Sequence, residues 1–343
     1  MSLIGALDKT KHFEEFSSPL STAQGMLSPG TRLQRARANL GLAGVAGVGL
    51  GVGSEWFVDG NQGTAGATGA SWDEALLTVT SVFTNAAFAS GDVIYVKGNI
   101  REELTTPAGI FDVAIIGAGY KPRHADTHTT LGGFNAMATW RDPASGATAI
   151  PHLKVQQQGW LIANIMFAMG GTNTAGIQVF ADTGSGNDER DASHTIITGC
   201  HFRGSGIGVQ THGLPNDVHI VGNIFDNLTS CIVGTVGAGA KTHQYTRITG
   251  NQFADSTNGI VAPLARSTIM GNVFHTTMTK EIDLVNGAAN IVTDNILMNN
   301  YDANVAATGD LWYGNLSKDT TSAEVSDELA ASPSGYTYTV PVA

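Results

Sequence analysis

HTIITGCHF at 194–202, VHIVGNIF at 218–225, TRITGNQF at 246–253 and STIMGNVF at 267–274 are copies of one short phrase. NIVTDNILM at 290–298 and DLWYGNL at 310–316 continue it. Aligned on one core letter, the register residues are Cys200, Asn223, Asn251, Asn272, Asn295 and Asn315, with spacings of 23, 28, 21, 23 and 20. An earlier copy, WLIANIMF at 160–167, precedes the series by a longer interval. That interval holds DTGSGNDERDAS at 182–193, which reads as a loop excursion from one coil. Self-similarity at a period of about 22 residues points to a stacked solenoid, each unit burying its apolar face on the next.

The residues within the phrase say which solenoid. Alternation before each Gly-Asn places Ile196, Ile220, Ile248 and Ile269 on one face of a short strand. Gly and Asn both tolerate left-handed backbone angles, so the pair suits a sharp bend. The aromatic that follows (Phe202, Phe225, Phe253, Phe274) returns to the interior and can stack on its counterpart one coil on. Asn223, Asn251, Asn272 and Asn295, at equivalent corners, can form a ladder of side-chain hydrogen bonds along the axis. A second strand follows at 206–210, 231–236, 259–263 and 281–285. Two or three strands per coil specify an all-β fold, a right-handed parallel β-helix. Leucine-rich repeats would need a leucine framework, and propeller blades would need units of about 40 residues.

Outward from the repeats, residues 54–317 form the expected β-helix, opened by a capping helix near 71–88. Ser71 with Glu74 makes a capping box, and Trp72, Ala75, Leu76, Val79, Val82, Phe83 and Ala86 follow at helical spacing. Such a helix would cover the open first coil and block edge-to-edge pairing. Residues 1–53 read as an extended glycine-rich arm, since LGLAGVAGVGLGVG at 40–53 suits neither a stable helix nor a buried strand. Residues 318–343 form a tail, with GYTYTVPV at 335–342 as one late strand.

Composition narrows the partners. The chain of 343 residues has 43 glycines without a three-residue period, which excludes collagen and implies many tight turns. A net charge of −11 argues against nucleic acid. The charge is uneven: Lys9, Lys11, Arg32, Arg35 and Arg37 outnumber Asp8, Glu14 and Glu15 in the first 40 residues. A basic arm on an acidic body suits docking to an acidic protein surface. Cys200 and Cys231, in separate coils, read as small buried hydrophobes in a reduced protein. No basic segment followed by an apolar run opens the chain and no 18-residue apolar stretch occurs, so neither export nor membrane association is expected.

WFVDGN at 56–61, ASW at 70–72 and SGDVIYVKGNIREE at 90–103 resemble the opening of many pectin-lyase-like β-helix proteins, and the GNxF coils resemble the same superfamily. The resemblance covers roughly residues 54–317 and implies the fold. It leaves function open, because the superfamily hosts lyases, hydrolases, adhesins and phage tailspikes. A short β-helix with an N-terminal arm also looks like phage particle proteins, both capsid cement proteins and tailspikes.

The residues offer no evident reaction centre. Polysaccharide lyases of this fold use clustered acidic residues to hold calcium, with a Lys or Arg as base. Asp182, Asp188, Glu189, Arg190 and Asp191 are the richest cluster, and they read as a solvated loop. The column after the register aromatic runs Arg203, Asp226, Ala254, His275, Met298, as a variable solvent-facing position would. Asp226, Asp255, Asp283 and Asp294 are available for glycoside hydrolysis, but spacing singles out no pair. The histidines, His194, His201, His212 and His219 among them, lack metal spacing. GAG at 117–119 is no dinucleotide motif, since Tyr120-Lys121-Pro122 follows. Neither catalytic nor metal residues are assigned, and no cofactor is expected. Arg32, Arg35 and Arg37, at i, i+3 and i+5, are the candidate docking contacts.

The sequence therefore favours a virion structural protein, made in the host cytoplasm. In this reading a capsid cement or decoration protein docks through its arm on other virion proteins, the major capsid protein first. A homo-oligomer is expected, with a trimer the favoured form. The alternative is a tailspike or receptor-binding β-helix that binds or cleaves host surface polysaccharide, using the long groove such folds offer.

Overall fold

The computed structural model describes residues 53–118, 138–143, 150–171, 175–181, 191–235, 242–276, 278–298 and 306–317. The expected arm at 1–53 (apart from its last residue), most of the 182–193 loop and the C-terminal tail lie outside these residues. Within them the chain winds through three long parallel sheets of ten, nine and seven strands. Each strand pairs with its counterpart one coil away, so a full coil visits the first, second and third sheet in turn. This is the right-handed parallel β-helix, with three strands per coil. The proposed second strands are the third sheet: Ile207–His212, Ser230–Thr235, Asn258–Val261 and Lys280–Asp283.

Register explains the interior. In the first sheet Ile162, Ile197, Ile220, Ile248, Ile269 and Val292 are successive partners, and all are buried. Ile197, not Ile196, carries this column; Ile196 pairs with Leu161 and His219 on the outer face. The extra Ile in TIIT allowed either alignment by hydrophobicity, and only the length of the bend to Cys200 decides it. In the second sheet the rings of Trp140, Phe167, Phe202, Phe225, Phe253 and Phe274 stack at 5.7, 5.2, 4.9, 5.0 and 4.5 Å. Each such pair contributes about 0.5–1.5 kcal/mol beyond its buried area.

Between these sheets lies the expected asparagine ladder. Asn223, Asn251, Asn272 and Asn295 are buried, each donating its backbone and side-chain N–H to the side-chain Oδ1 of the next asparagine. Asn315 closes the row, and Asn223 Oδ1 accepts from Cys200 N at 2.9 Å. The left-handed residue at the bend is the one before the register residue: Gly199, Gly222, Gly250, Gly271 and Gly314, with Asn164 and Asp294 in its place in two coils. Cys200 and Cys231 are both buried thiols.

The cap differs from the expected long helix. The helix spans only Val79–Phe83, with Thr78 as its N-cap accepting from Ser81 N at 3.2 Å. Glu102 completes that end, accepting from Val79 N at 2.7 Å and Thr80 N at 3.1 Å. Ser71 and Glu74 belong instead to a turn, and Leu76 lies extended, bridged to Val58 and Thr64. Val79 and Val82 are fully buried over the core, so the covering role survives in a shorter element.

Candidate glycan-contact face

The third sheet presents its outer face through alternate residues. In Ala175–Phe180, Ile177 and Val179 point inward and are fully buried, which turns Gln178 and Phe180 outward. The register then stacks like on like. Lys154, Gln178, Gln210 and Val233 are successive partners in one outer column, while Phe180, His212 and Thr235 form the column beside it.

These side chains are organised against one another. The Gln178 amide donates to the Gln210 carbonyl at 2.7 Å, which fixes the orientation of both. The Phe180 and His212 rings stack at 5.1 Å with 5° between their planes. The Lys154 ammonium lies 3.8 Å from the centre of the Phe180 ring, and His212 Nδ1 meets Thr235 Oγ1 at 2.8 Å. All six are partly exposed. The result is a surface of amides, a hydroxyl, an imidazole and an ammonium set around an aromatic edge. Such groups hydrogen-bond hydroxyls from both sides, donating and accepting, and the aromatic edge covers apolar C–H surface.

Other residues singled out by sequence are dispersed. Arg32, Arg35 and Arg37, and Asp182, Asp188, Glu189 and Arg190, lie outside the described residues. Asp191 accepts from Gln158 Nε2 at 2.8 Å and from Ser193 N at 2.9 Å, a local structural role. Asp226 lies on the outer face of the second sheet, Asp255 at a left-handed corner, Asp283 in the third sheet beside Lys280, and Asp294 at the asparagine bend. They meet in no common site.

The column of Arg203, Asp226 and Ala254 is less indifferent than its changing chemistry suggested. Arg203 Nε lies 3.4 Å from Asp226 Oδ2 across one coil step, and His201 Nε2 lies 4.0 Å from the same oxygen. Asp217 is held between His194 Nδ1 and His219 Nε2, each at 3.0 Å. Burial alone would raise its pKa, but hydrogen bonds from the two histidines outweigh it and hold the carboxyl below its usual range. Among the described residues no group of three or more His, Cys, Asp or Glu is placed to hold a metal. No described helix is long and apolar enough to cross a membrane.

Sequence reading missed Phe180, His212, Gln178 and Gln210 as a group. The signal was available: AGIQVF at 175–180 and IGVQTH at 207–212 alternate identically, with Gln at the fourth position and a ring at the sixth.

No protein family and no curated sequence matches the chain. Among solved structures it is similar to pectate lyase Pel9A, at 15% identity over 82% of this chain and 81% of that one, TM-score 0.36. It is similar also to the GH136 lacto-N-biosidase from Eubacterium ramulus, at 9% identity over 83% and 65% of the two chains, TM-score 0.38. A third is the Dettilon tailspike protein, at 15% identity over 65% and 60%, TM-score 0.30. These likenesses go no further than fold.

Proposed function

We propose that this chain is a glycan-binding β-helix of the tailspike type, borne on a phage particle and contacting host surface polysaccharide through the outer face of its third sheet. The observation that carries the reading is the paired ladder on that face, Gln178 to Gln210 beside Phe180 to His212. A β-helix repeats its coils at about 4.8 Å, so equivalent side chains line up along the axis and offer an extended, periodic surface to an extended, periodic ligand. Two uncharged amides and a hydroxyl supply both donors and acceptors, as suits a ligand rich in hydroxyl groups. Placement on a phage particle draws on the architectural resemblance. The capsid-cement reading draws on the arm and on Arg32, Arg35 and Arg37, outside the described residues, and no observation favours it here.

The test is a panel of purified capsular and O-antigen polysaccharides, immobilised and probed with the full chain. At least one should retain it, and Phe180→Ala and Gln210→Ala should each weaken retention by about tenfold with little change in melting temperature. Size analysis of the bound glycan after incubation reads out cleavage in the same experiment. Failure to retain the chain on every glycan, or equal retention of wild type and both variants, would sink the reading.

A further inference from the structure

Ile100 pairs with Trp140 in the second sheet, and both side chains are buried. The next residue on each of these neighbouring chains is an arginine, Arg101 and Arg141, and alternation turns both outward. Their charges oppose one another: burial lowers the Arg141 pKa, and the positive charge of Arg101 lowers it further. Among the described residues no carboxylate forms a salt bridge with either. Among the described residues the buried Arg141 Nε–H has no acceptor.

Carboxylates adjoining the pair are engaged elsewhere. Glu102 caps the helix at Val79 and Thr80, and Asp142 holds His152 Nε2 at 2.8 Å and Gly170 N at 2.7 Å. Glu103 acts on His152. Along the same outer column Arg141 is followed by Ala168 and then by Arg203, whose partner is Asp226. Two coil steps separate Arg141 from Arg203, about 10 Å, with the small, partly exposed Ala168 between them.

Two adjacent guanidinium groups without an anion repel each other, and a buried N–H without an acceptor is unsatisfied. A planar oxoanion answers both, because its two oxygens match the fork of donors that a guanidinium presents. We propose that Arg101 and Arg141 form an oxoanion subsite that takes the carboxylate of an acidic sugar, with Ala168 making room for the ring. The ligand class rests on the glycan-binding reading; the anion site itself does not.

Calorimetry on the full chain separates the possibilities, with an oligouronate, its carboxyl-reduced neutral analogue and inorganic phosphate as probes. The oligouronate should bind, more weakly as salt rises. Arg141→Gln and the more exposed Arg101→Gln should each lower its affinity by about tenfold, and the neutral analogue should lose a similar factor. Melting curves of both variants guard against misfolding, and Arg101→Gln, at an exposed position, keeps the test valid if Arg141→Gln unfolds. Equal binding of the neutral analogue, or unchanged affinity in a folded Arg101→Gln, overturns the subsite. Arginine-dependent binding of phosphate without oligouronate binding overturns the sugar assignment alone. Glycan binding lost in Phe180→Ala but untouched in both arginine variants leaves the third-sheet reading standing and removes this one.

Discussion

Asn251 Oδ1 accepts two hydrogen bonds from one residue of the preceding coil, the Asn223 backbone N–H at 2.9 Å and its side-chain N–H at 3.1 Å. Both residues are fully buried, so neither donor has water as an alternative. Replacing Asn251 by Ala leaves those donors unpaired and also loses the bonds that the Asn251 side-chain amide donates to Asn272 Oδ1 and to the Ile220 carbonyl, while its backbone N–H bond to Asn272 remains. The expected cost is about 3 kcal/mol in chemical denaturation, because each unsatisfied buried group costs about 1–3 kcal/mol. Asn315→Ala, at the end of the row, should cost less. Equal losses at the two positions would argue against a cooperative ladder.

The phenylalanine stack has a counterpart in the facing sheet that fixes its spacing. A Cβ added to Gly208 would stand 2.6 Å from the Phe225 ring and 2.6 Å from the Cys231 carbonyl; at Gly259 it would stand 2.6 Å from the Phe274 ring. These glycines are small because the rings fill the coil. Gly208→Ala should destabilise by about 1–3 kcal/mol through overpacking. Phe225→Leu should recover part of that loss in the double variant, and a strictly additive cycle would refute the direct contact.

A third column, two residues before each strand of the first sheet after the Glu55–Asp59 strand, is left-handed in all nine coils. Its members are Gly91, Asp112, Gly159, His194, Asp217, Tyr245, Arg266, Ala289 and Gly309. Ala289, exposed and at φ 56°, gains nothing visible from its methyl group. The left-handed conformation costs an L-residue about 1–2 kcal/mol, while glycine loses about 0.5–1 kcal/mol in chain entropy. Ala289→Gly should therefore stabilise by about 0.5 kcal/mol. Gly222→Ala, at φ 64° with open space around it, should cost about 1 kcal/mol with no steric contribution. Thermal melts of the two variants should shift in opposite directions.

The parts of this fold that could be read from the sequence are those where one residue type answers one local demand. Only glycine, or Asn and Asp, sits easily at the bend, and only a side-chain amide satisfies both neighbouring corners, so Gly-Asn followed by Phe gives period and interior together. Hydrophobicity does not distinguish Ile196 from Ile197, since both are apolar and the strand is three residues long. The helical spacing around the cap overstates the helix because Leu76, at helical spacing from Val79, is drawn out by pairing with Val58. Outer-face residues obey no such local demand. Phe180 and His212, or Arg101 and Arg141, become neighbours only through coil register, and that register depends on intervening loops of very unequal length.

Acid should unfold this protein through its buried histidines. His243 is fully buried, with Nε2 3.3 Å from Thr211 Oγ1 and, among the described residues, no partner for Nδ1. Burial, helped by the nearby His212, pushes its pKa down to about 4 from 6.5. His152 is lowered too, by a burial penalty that its Asp142 partner only partly offsets. For a depressed histidine the unfolded chain binds the proton first, so stability is intact above pH 6.5 and falls as pH drops from 6.5 towards 4. His243 alone should account for a loss of about 3 kcal/mol across that window. Urea midpoints measured from pH 7 to pH 4 should therefore decline, and His243→Gln should flatten the decline whatever it does at pH 7. If the variant keeps the wild-type slope, His243 is not the group that the acid limb titrates, and the burial that lowers its pKa is relieved before the chain unfolds.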